Sequence, residues 1–287
     1  MNKLELSYFS EDEFRYKLQE TIDRMSENKT PQIKPVAFLL GGQPGSGKTT
    51  LHKIINNKLN DNIITIDNDT FKYLHPKFDL LVEEYGKDYV SHVTPFSNRM
   101  TEALIEHFSN KSFNLSIEGT LRTTDIPKTT ATFLKGKGYE VNLYVMAVSK
   151  RLSYLSTLER YESMYLIEPR TARATDKTIH DKIVSNLPDN LETLFKSNFF
   201  ADISIFTRDG TKIYSSVETP FDNPKQIFQD ILNQSVSKKI LIDKVEYLIT
   251  LTKQNNHSVN HLLAWRKRHI LSHFFRVTVH KKRDPLR

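Results

Sequence analysis

The sequence predicts an α/β fold of three layers, in which a central and mostly parallel sheet lies between helices. Apolar strand-like runs alternate with helical patterns from residue 36 to about residue 216, and this alternation is typical of repeated βαβ units. The first strand leads into the loop Gly42-Gln43-Pro44-Gly45-Ser46-Gly47-Lys48-Thr49 and then into a helix. That order of elements is the context in which the phosphate-binding motif G-x-x-x-x-G-K-[ST] occurs.

Each residue type in this loop suits a polyphosphate. Glycines let backbone N–H groups turn toward the phosphates, and the following helix adds unpaired N–H groups and the positive end of its dipole. Lys48 supplies a cation for the β- and γ-phosphates and Thr49 a hydroxyl for Mg²⁺. A chance glycine-rich turn is the alternative, and the flanking elements argue against it. We expect ATP and Mg²⁺ as cofactors, with ATP bound by Gly42, Gln43, Pro44, Gly45, Ser46, Gly47, Lys48, Thr49 and Thr50.

The composition excludes several classes of protein. The 287 residues include no cysteine, which excludes disulfides and thiol catalysis and favours a cytoplasmic protein. No apolar run approaches the roughly 20 residues that span a bilayer, and the N-terminus lacks the apolar centre of a signal peptide. The net charge of +7 is unevenly placed, because residues 238–287 contain twelve basic and three acidic residues, which leaves the first 237 residues with a balance of −2.

Residues 1–35 are predicted to form a helical segment and a link. Apolar residues recur at spacings of three and four over residues 11–28, and Ser10 with Glu13 forms a capping box before them. Residues 29–35 are polar and bounded by prolines, which indicates a link into the first strand.

Residues 36–220 are predicted to be the nucleotide-binding core. Short apolar or alternating runs indicate strands at residues 36–40, 62–66, 114–117, 141–148, 202–206 and 212–215. Apolar residues at spacings of three and four indicate helices at residues 50–59, 79–90, 97–108, 126–137 and 176–198, the last one interrupted at Pro188. The final two strands flank Asp209-Gly210, which is a turn signal.

Residues 221–287 are predicted to be a helical C-terminal extension with a basic tail. Helical patterns cover residues 224–233 and 238–253, and no clean period follows residue 261. Two clusters, Arg266-Lys267-Arg268 and His280-Lys281-Lys282-Arg283, fit contact with nucleic acid. A solvated basic terminus is commoner, and no nucleic-acid-binding motif adjoins the clusters, so nucleic acid is not the expected partner.

Polar residues follow two strands of the predicted sheet, at the edge where ligands of open α/β sheets gather. Asp69 could accept a proton from a hydroxyl acceptor or cap the next helix. Asp67 could orient a metal or be a solvated acid at the end of a strand. Glu118 could hold Mg²⁺ through water or bind a substrate hydroxyl, and Thr120 with Arg122 could contact substrate. Spacing alone leaves an ordinary surface role open for all of them.

Four arginines lie in the segment 150–175, and we expect this segment to close over the triphosphate as a lid. Arginine suits the role because its planar fork pairs with two phosphate oxygens and stays charged. The alternative is a solvated helix laced with salt bridges to Glu159, Glu162 and Glu168. For any one of the four residues Arg151, Arg160, Arg170 and Arg173, the sequence alone favours the solvated interpretation.

Several blocks together resemble the zeta toxin family, the toxin halves of bacterial epsilon/zeta toxin–antitoxin systems. In chain order they are GQPGSGKTT, IDNDTFK, HVTPFSNRMTEA, IEGTLRTTD, YVMAV, LERYESMY and PRTARAT. The resemblance covers roughly residues 8–250 and implies a P-loop kinase fold. It also implies ATP-dependent phosphorylation of UDP-N-acetylglucosamine on the 3′-hydroxyl of the amino sugar, which blocks peptidoglycan synthesis, and a role in plasmid maintenance.

The resemblance assigns roles to individual residues. It implies that Lys48 is the phosphate-loop lysine, that Thr49 gives the Mg²⁺ hydroxyl and that Asp69 is the base that takes the sugar hydroxyl proton. Arg160 and Arg173 then correspond to the cations that clamp the phosphates. The implied substrate contacts are Asp69, Glu102, Glu118, Thr120 and Arg122.

The family also implies a partner, a small helical antitoxin of the epsilon type that covers the nucleotide site in a heterotetramer. The helix over residues 11–28 is expected to belong to that contact surface. Two features depart from the family pattern. Leu121 stands where a smaller residue is expected, and nothing after about residue 250 matches.

Two other functions stay open from the sequence. The chain could phosphorylate a different small hydroxyl compound, such as a nucleoside, an antibiotic or a metabolite. It could also be a nucleotide-dependent binding module that uses its basic tail on nucleic acid. A screen of acceptors separates the first from a UDP-N-acetylglucosamine kinase, and salt-dependent binding lost with residues 261–287 identifies the second.

Overall fold

A computed structural model describes residues 6–271 of the protein and contains one six-stranded sheet. Its strands are, in chain order, β1 (Val36–Gly42), β2 (Ile64–Ile66), β3 (Leu115–Glu118), β4 (Glu140–Met146), β5 (Asp202–Phe206) and β6 (Lys212–Ser215). Across the sheet the order is β2-β3-β1-β4-β5-β6. All neighbouring pairs are parallel except β5 with β6, which confirms the predicted mostly parallel sheet.

Helices connect and cover the strands. They are α1 (Glu11–Ser26), α2 (Thr49–Lys58), α3 (Asn68–Phe71), α4 (Phe78–Tyr85), α5 (Tyr89–Asn110), α6 (Asp125–Gly136), α7 (Lys150–Ile167), α8 (Lys177–Lys196), α9 (Pro224–Asn233), α10 (Lys238–Gln254) and α11 (Asn260–Arg266). Short 3₁₀ turns follow α3 and α4, and a π turn over Lys267–Leu271 ends the described chain.

The alternation of side chains along β1 explains why the fold has three layers. Phe38 and Leu40 pack on one face of the sheet against Leu51 and Ile55 of α2. The residues between them face the opposite side and join a larger core with α5, α6 and α8. Both faces are therefore apolar, and each fully buried Leu or Phe contributes roughly 1.5–3 kcal/mol to folding.

Two helices differ from the sequence prediction at a proline. α5 begins at Tyr89 instead of residue 97 and contains Pro95, and α8 runs through Pro188, so the predicted interruption there is wrong. An interior proline removes a hydrogen bond and costs about 3 kcal/mol. The fully buried residues next to these prolines, among them Phe96 and Leu187, show why tertiary packing holds the helices together.

The N-terminal helix and the C-terminal extension pack on different parts of the core. The capping box of Ser10 and Glu13 is present at the start of α1, and Phe14 of α1 meets Phe96 of α5 edge to face. The helices α10 and α11 pack on α7. Within the described residues, no helix is long and apolar enough to cross a membrane. The basic cluster at residues 280–283 lies outside the described residues.

Candidate active site

The phosphate loop connects β1 to α2 and presses against α7. Gly45 has φ +72°, in the left-handed region that favours glycine. A Cβ atom at this position would lie under 3.0 Å from the carbonyl oxygen of Ser153 on α7, a separation that real Cβ atoms essentially never show. Buried Gln43 ties the other end of the loop to the sheet by donating to the carbonyl of Val148. Glycine is therefore required where the loop meets α7.

Donor groups in the loop fit a bound polyphosphate. Among residues 6–271, no acceptor is found for the backbone N–H groups of Gly47 and Lys48. The hydroxyl of Ser46 is buried and likewise lacks a partner in that range. Thr49 is exposed at the first turn of α2, whereas the Thr50 hydroxyl donates to the carbonyl of Arg208 at 3.3 Å. These unsatisfied donors at a helix N-terminus make an anion site.

Arg208 in the β5–β6 turn contacts the same loop. The sequence did not identify this residue as part of the site. Its guanidinium donates to the carbonyl of Gly45 and, at 3.4 Å, to the carbonyl of Ser46. A third bond reaches the Ser156 hydroxyl of α7 at 3.0 Å. One side chain therefore ties the phosphate loop to the arginine-bearing helix, and burial lowers its pKa without removing its charge.

Lys48 and Glu118 form an ion pair at the carboxyl edge of the sheet. The Nζ of Lys48 lies 3.4 Å from Glu118 Oε1, and His52 Nε2 lies 3.0 Å from Glu118 Oε2. Behind it, the Ser116 hydroxyl lies 3.4 Å from His52 Nδ1. The two ring nitrogens of His52 can accept from Ser116 and donate to Glu118, which satisfies this chain of contacts.

Electrostatics around Glu118 keep it ionised. Burial acts to raise the pKa of Glu118, but the hydrogen bond from His52 and the charge of Lys48 outweigh it, so the pKa is lowered. Nearby Asp67 shows the opposite shift. Burial and the negative charge of Glu118 raise the pKa of Asp67. The edge thus holds one carboxylate whose ionised form is favoured, Glu118, and one whose ionised form is disfavoured, Asp67.

The helix-capping role falls to Asp67 and not to Asp69. Asp67 is the N-cap of α3, and its carboxylate accepts from the backbone N–H of Asp69 at 3.0 Å. Asp69 lies in the first turn of that helix with its carboxylate about half exposed, at 46%. The cap that the sequence left open for Asp69 is therefore supplied two residues earlier, and the Asp69 side chain is left for other contacts.

Three cations surround the Asp69 carboxylate. Lys72, three residues later, donates to Oδ1, and the guanidinium groups of Arg160 and Arg173 each lie 3.6 Å from a carboxylate oxygen. Burial acts to raise the pKa of Asp69, but Lys72, Arg173 and Arg160 outweigh it and lower the pKa. Asp69 is therefore ionised at neutral pH and sits where an anionic group would meet two arginines.

The four arginines of the predicted lid separate into two groups. Arg160 and Arg173 reach Asp69, and the Nε of Arg173 is buried with no partner among the described residues. Arg170 instead pairs with Glu168 at 2.9 Å, and Arg151 is exposed near His269. The salt-bridge interpretation thus fits Arg170, whereas the two arginines implied by the family resemblance meet at Asp69.

The remaining expected substrate contacts lie on α5 and in the loop after β3. Glu102 is exposed on α5, next to Thr101, whose hydroxyl accepts from Asn68 Nδ2 at 3.0 Å. Thr120 is half-buried and Arg122 exposed in the loop after β3. The structure records no contact that draws Glu102, Thr120 or Arg122 to Asp69, so their roles stay predictions.

Leu121 has an unusual conformation in the loop after β3. Its φ is +50°, and its side chain is buried over Gly41, where a Cβ atom would overlap it. Asn190 of α8 holds the turn by donating to the carbonyl oxygens of Leu121 at 2.9 Å and Arg122 at 3.1 Å. Leu121, which stands where a smaller residue is expected, is accommodated because β1 has a glycine beneath it.

A cavity of about 310 Å³ lies between the turn after α3, the helix α4 and the end of α7. Tyr73, Phe78 and Met164 contribute to its wall. Over residues 6–271 no group of three or more His, Cys, Asp or Glu side chains could hold a metal ion. A Mg²⁺ ion beside Thr49 would therefore take most of its ligands from nucleotide phosphates and water.

The sequence comparisons find close relatives among bacterial toxins. A family model described as Zeta toxin matches residues 19–219. The toxin zeta of Streptococcus agalactiae is 51% identical over 249 residues, which cover 87% of this chain and 87% of the relative. The toxin PezT of Streptococcus pneumoniae serotype 4 is 43% identical over 229 residues, covering 80% of this chain and 90% of that protein.

The structure comparison agrees with these matches. A chain in the solved structure of the PezAT chromosomal toxin–antitoxin system of Streptococcus pneumoniae superposes with a TM-score of 0.79 at 36% identity. The superposition covers 88% of this chain and 100% of that chain.

Proposed function

Since the chain belongs to the zeta toxin family, we propose that it is the toxin of a toxin–antitoxin pair and acts as an ATP-dependent kinase. The observation that carries the proposal is the meeting of Asp69 with Arg160 and Arg173 beside a phosphate loop with unsatisfied donors. Phosphoryl transfer needs a positioned nucleophile and cations on the moving group, and little covalent chemistry. Arg160 and Arg173 would supply the cations, and Asp69 would orient the acceptor hydroxyl that acts as nucleophile.

Each residue of the site has a separate proposed role. The loop Gly42–Thr50 and Lys48 hold the triphosphate, and Lys48 leaves Glu118 to do so. Arg160 and Arg173 neutralise charge on the γ-phosphoryl group while Asp69 accepts the proton of the acceptor hydroxyl. Asp69 is a weak base because its pKa is lowered, so it contributes orientation as well as proton transfer, roughly 10²–10⁴-fold together.

Mg²⁺ fits the donor set at the start of α2. Thr49 has an exposed hydroxyl there. Among the residues that the structure describes, no group of three or more His, Cys, Asp or Glu side chains could hold the ion instead. The ion, when bound, would neutralise charge on the β- and γ-phosphate oxygens. Glu118, ionised and oriented by His52, is placed to contact its water shell or an acceptor hydroxyl.

For the acceptor we propose UDP-N-acetylglucosamine, phosphorylated on the 3′-hydroxyl of the amino sugar, with Glu102, Glu118, Thr120 and Arg122 as further contacts. Phosphorylation would withdraw this precursor and block peptidoglycan synthesis in the cytoplasm. The proposed partner is an epsilon-like helical antitoxin in a heterotetramer, as in plasmid-maintenance systems. The family match and the relatives named toxin zeta and toxin PezT support this proposal.

A panel of acceptors tests the proposal. Purified protein is incubated with ATP, Mg²⁺ and one acceptor at a time, and products are weighed by mass spectrometry with Lys48→Ala as control. The expected result is one added phosphate on UDP-N-acetylglucosamine and none on nucleosides or free sugars. An added phosphate on another compound alone would mean that the protein is a kinase with a different acceptor. No added phosphate on any acceptor would contradict the proposed kinase activity.

Induced expression in a bacterial host tests the toxin. Growth should stop with the unaltered protein and continue with Lys48→Ala at equal protein levels. Equal growth arrest with both proteins would show that toxicity does not depend on the nucleotide site.

A further inference from the structure

The C-terminal extension packs on the helix that carries Arg160. Leu155 of α7 is fully buried against a cluster from α10 that includes Leu241, Val245 and Leu248. Leu262 of α11 joins the same cluster. The family model matches residues 19–219, so it includes α7 and does not include α10 and α11. The extension therefore covers the outer face of α7 with an apolar surface of its own.

A buried carboxylate fixes the extension to α7 at one point. Glu162 is only 5% exposed, and Asn255 Nδ2 donates to its Oε2 at 2.6 Å and to its backbone carbonyl at 2.9 Å. His257 Nδ1 lies 3.0 Å from the same carboxylate oxygen, and its ring meets Tyr165 at 4.3 Å between centroids. A buried carboxylate needs such partners, which makes the register of α7 against the extension specific.

A second polar contact lies one residue before Arg160. Lys244 of α10 donates to Glu159. Glu159 and Glu162 are three residues apart and share one side of the helix, whereas Arg160 projects from another side to Asp69. Arg160 is itself 56% exposed. Its position therefore depends on where α7 is held more than on contacts of its own side chain.

We propose that residues 238–257 clamp α7 in the position that places the Arg160 guanidinium at the phosphoryl-transfer site. Lys244, Asn255 and His257 are positioning residues that act through Glu159 and Glu162. This proposal rests on the phosphate-binding role of Arg160 in the proposed function. It gives the C-terminal extension, for which the sequence suggested only a nucleic-acid contact, a part in the reaction.

The test removes the contacts to Glu162 and leaves the site untouched. The clamp variant is Asn255→Ala/His257→Ala, and the matched control is Glu246→Ala. The control breaks a bridge of 3.0 Å to Arg266 within the extension and touches no residue of α7. Two quantities are measured, the rate of phosphoryl transfer and the affinity for a non-hydrolysable ATP analogue, each with and without Arg160→Ala.

We expect the clamp variant to lose about tenfold in transfer rate, because small displacements of a reacting group are costly. The control should keep its rate. In the Arg160→Ala background the clamp substitutions should cost less than about twofold, because there is no guanidinium left to position. If the clamp substitutions lower the transfer rate by the same factor in the Arg160→Ala protein as in the wild type, they act through general structure and the proposal is overturned. An Arg160→Ala protein unimpaired in both rate and affinity would also overturn it.

Two further results keep the test decisive. If the double substitution does not fold, Lys244→Met replaces it, since this change keeps the aliphatic stem and leaves Glu162 paired. If the wild-type protein phosphorylates no acceptor, the proposed function fails, and the cycle in analogue affinity still decides the clamp. A clamp variant with unchanged rate and unchanged affinity would overturn the clamp alone.

Discussion

The close approach of the phosphate loop to α7 predicts a large effect of Gly45→Ala. Gly45 has φ +72°, and a Cβ atom there would overlap the carbonyl oxygen of Ser153 and touch Thr157. The obstacle is backbone, so no side-chain rotation relieves it. Either the loop or α7 must move, and α7 carries Arg160.

Two costs follow from this geometry. A non-glycine residue in the left-handed region costs roughly 1–2 kcal/mol in folding free energy. Relieving the overlap requires a displacement of about 1 Å, and a misplacement of that size in a catalytic group lowers the rate by about 100-fold. The expected result is a modest loss of stability with a large loss of ATP affinity and transfer rate.

Gly138→Ala is the matched control. Gly138 also has positive φ, at +84°, but a Cβ atom there meets nothing within 4 Å. Both variants therefore carry the backbone cost, and only Gly45→Ala carries the overlap. Urea unfolding gives the stability of each protein, and titration with an ATP analogue and the transfer assay give the functional loss.

Comparing the two glycine variants separates the effect of the overlap with α7 from the effect of the backbone conformation. Gly138→Ala should lose stability and keep its ATP affinity and transfer rate. A Gly45→Ala protein that binds the analogue and transfers phosphate like Gly138→Ala would refute the claim that the loop and α7 are in obligatory contact.

Three other changes have expected outcomes. Arg208→Ala should weaken ATP binding about tenfold. Arg208→Lys should restore little of the lost affinity, because a lysine cannot donate to both carbonyls at once. Equal ATP affinity of the wild type and both variants by calorimetry would contradict this. His52→Ala should lower the transfer rate, because it leaves Glu118 without the hydrogen bond that orients it. His52→Gln keeps a donor and should restore part of the rate. Equal transfer rates of the wild type and both variants would contradict the role of this hydrogen bond. Lys72 holds the pKa of Asp69 below its ordinary value, so its contribution to stability is present above about pH 4 and is lost as the pH falls through the lowered pKa. Lys72→Met should therefore lower the free energy of unfolding at neutral pH and converge with wild type in acid; a constant difference across pH would contradict the pairing.

The sequence predicted the fold because its signals are local. Alternating strands and helices, the capping box of Ser10 and Glu13, and the glycines of the phosphate loop all act over a few residues. The start of α5 and the interruption at Pro188 were predicted wrongly, because the packing of distant buried side chains outweighs a lost helical hydrogen bond. Local rules therefore place elements well and misplace their ends where tertiary packing decides.

The candidate site was predictable in part. The strand ends brought Lys48, Asp69 and Glu118 to one edge, as parallel topology requires. Lys72 gave a signal that was missed, since it lies three residues from Asp69 on the same turn. Arg208 gave none, because its two partners in the phosphate loop are backbone carbonyls about 160 residues away in sequence, and carbonyls leave no trace in residue type.

The transfer rate of Asp69→Asn shows whether the Asp69 carboxylate takes part in the reaction. Wild-type and variant proteins are mixed with ATP, Mg²⁺ and UDP-N-acetylglucosamine in a single turnover, and analogue affinity is measured on the same samples. We expect the variant to bind ATP within about twofold of wild type and to transfer phosphate more slowly by roughly 10²–10⁴-fold. Transfer by Asp69→Asn at the wild-type rate would show that the carboxylate held between Arg160 and Arg173 has no part in the reaction.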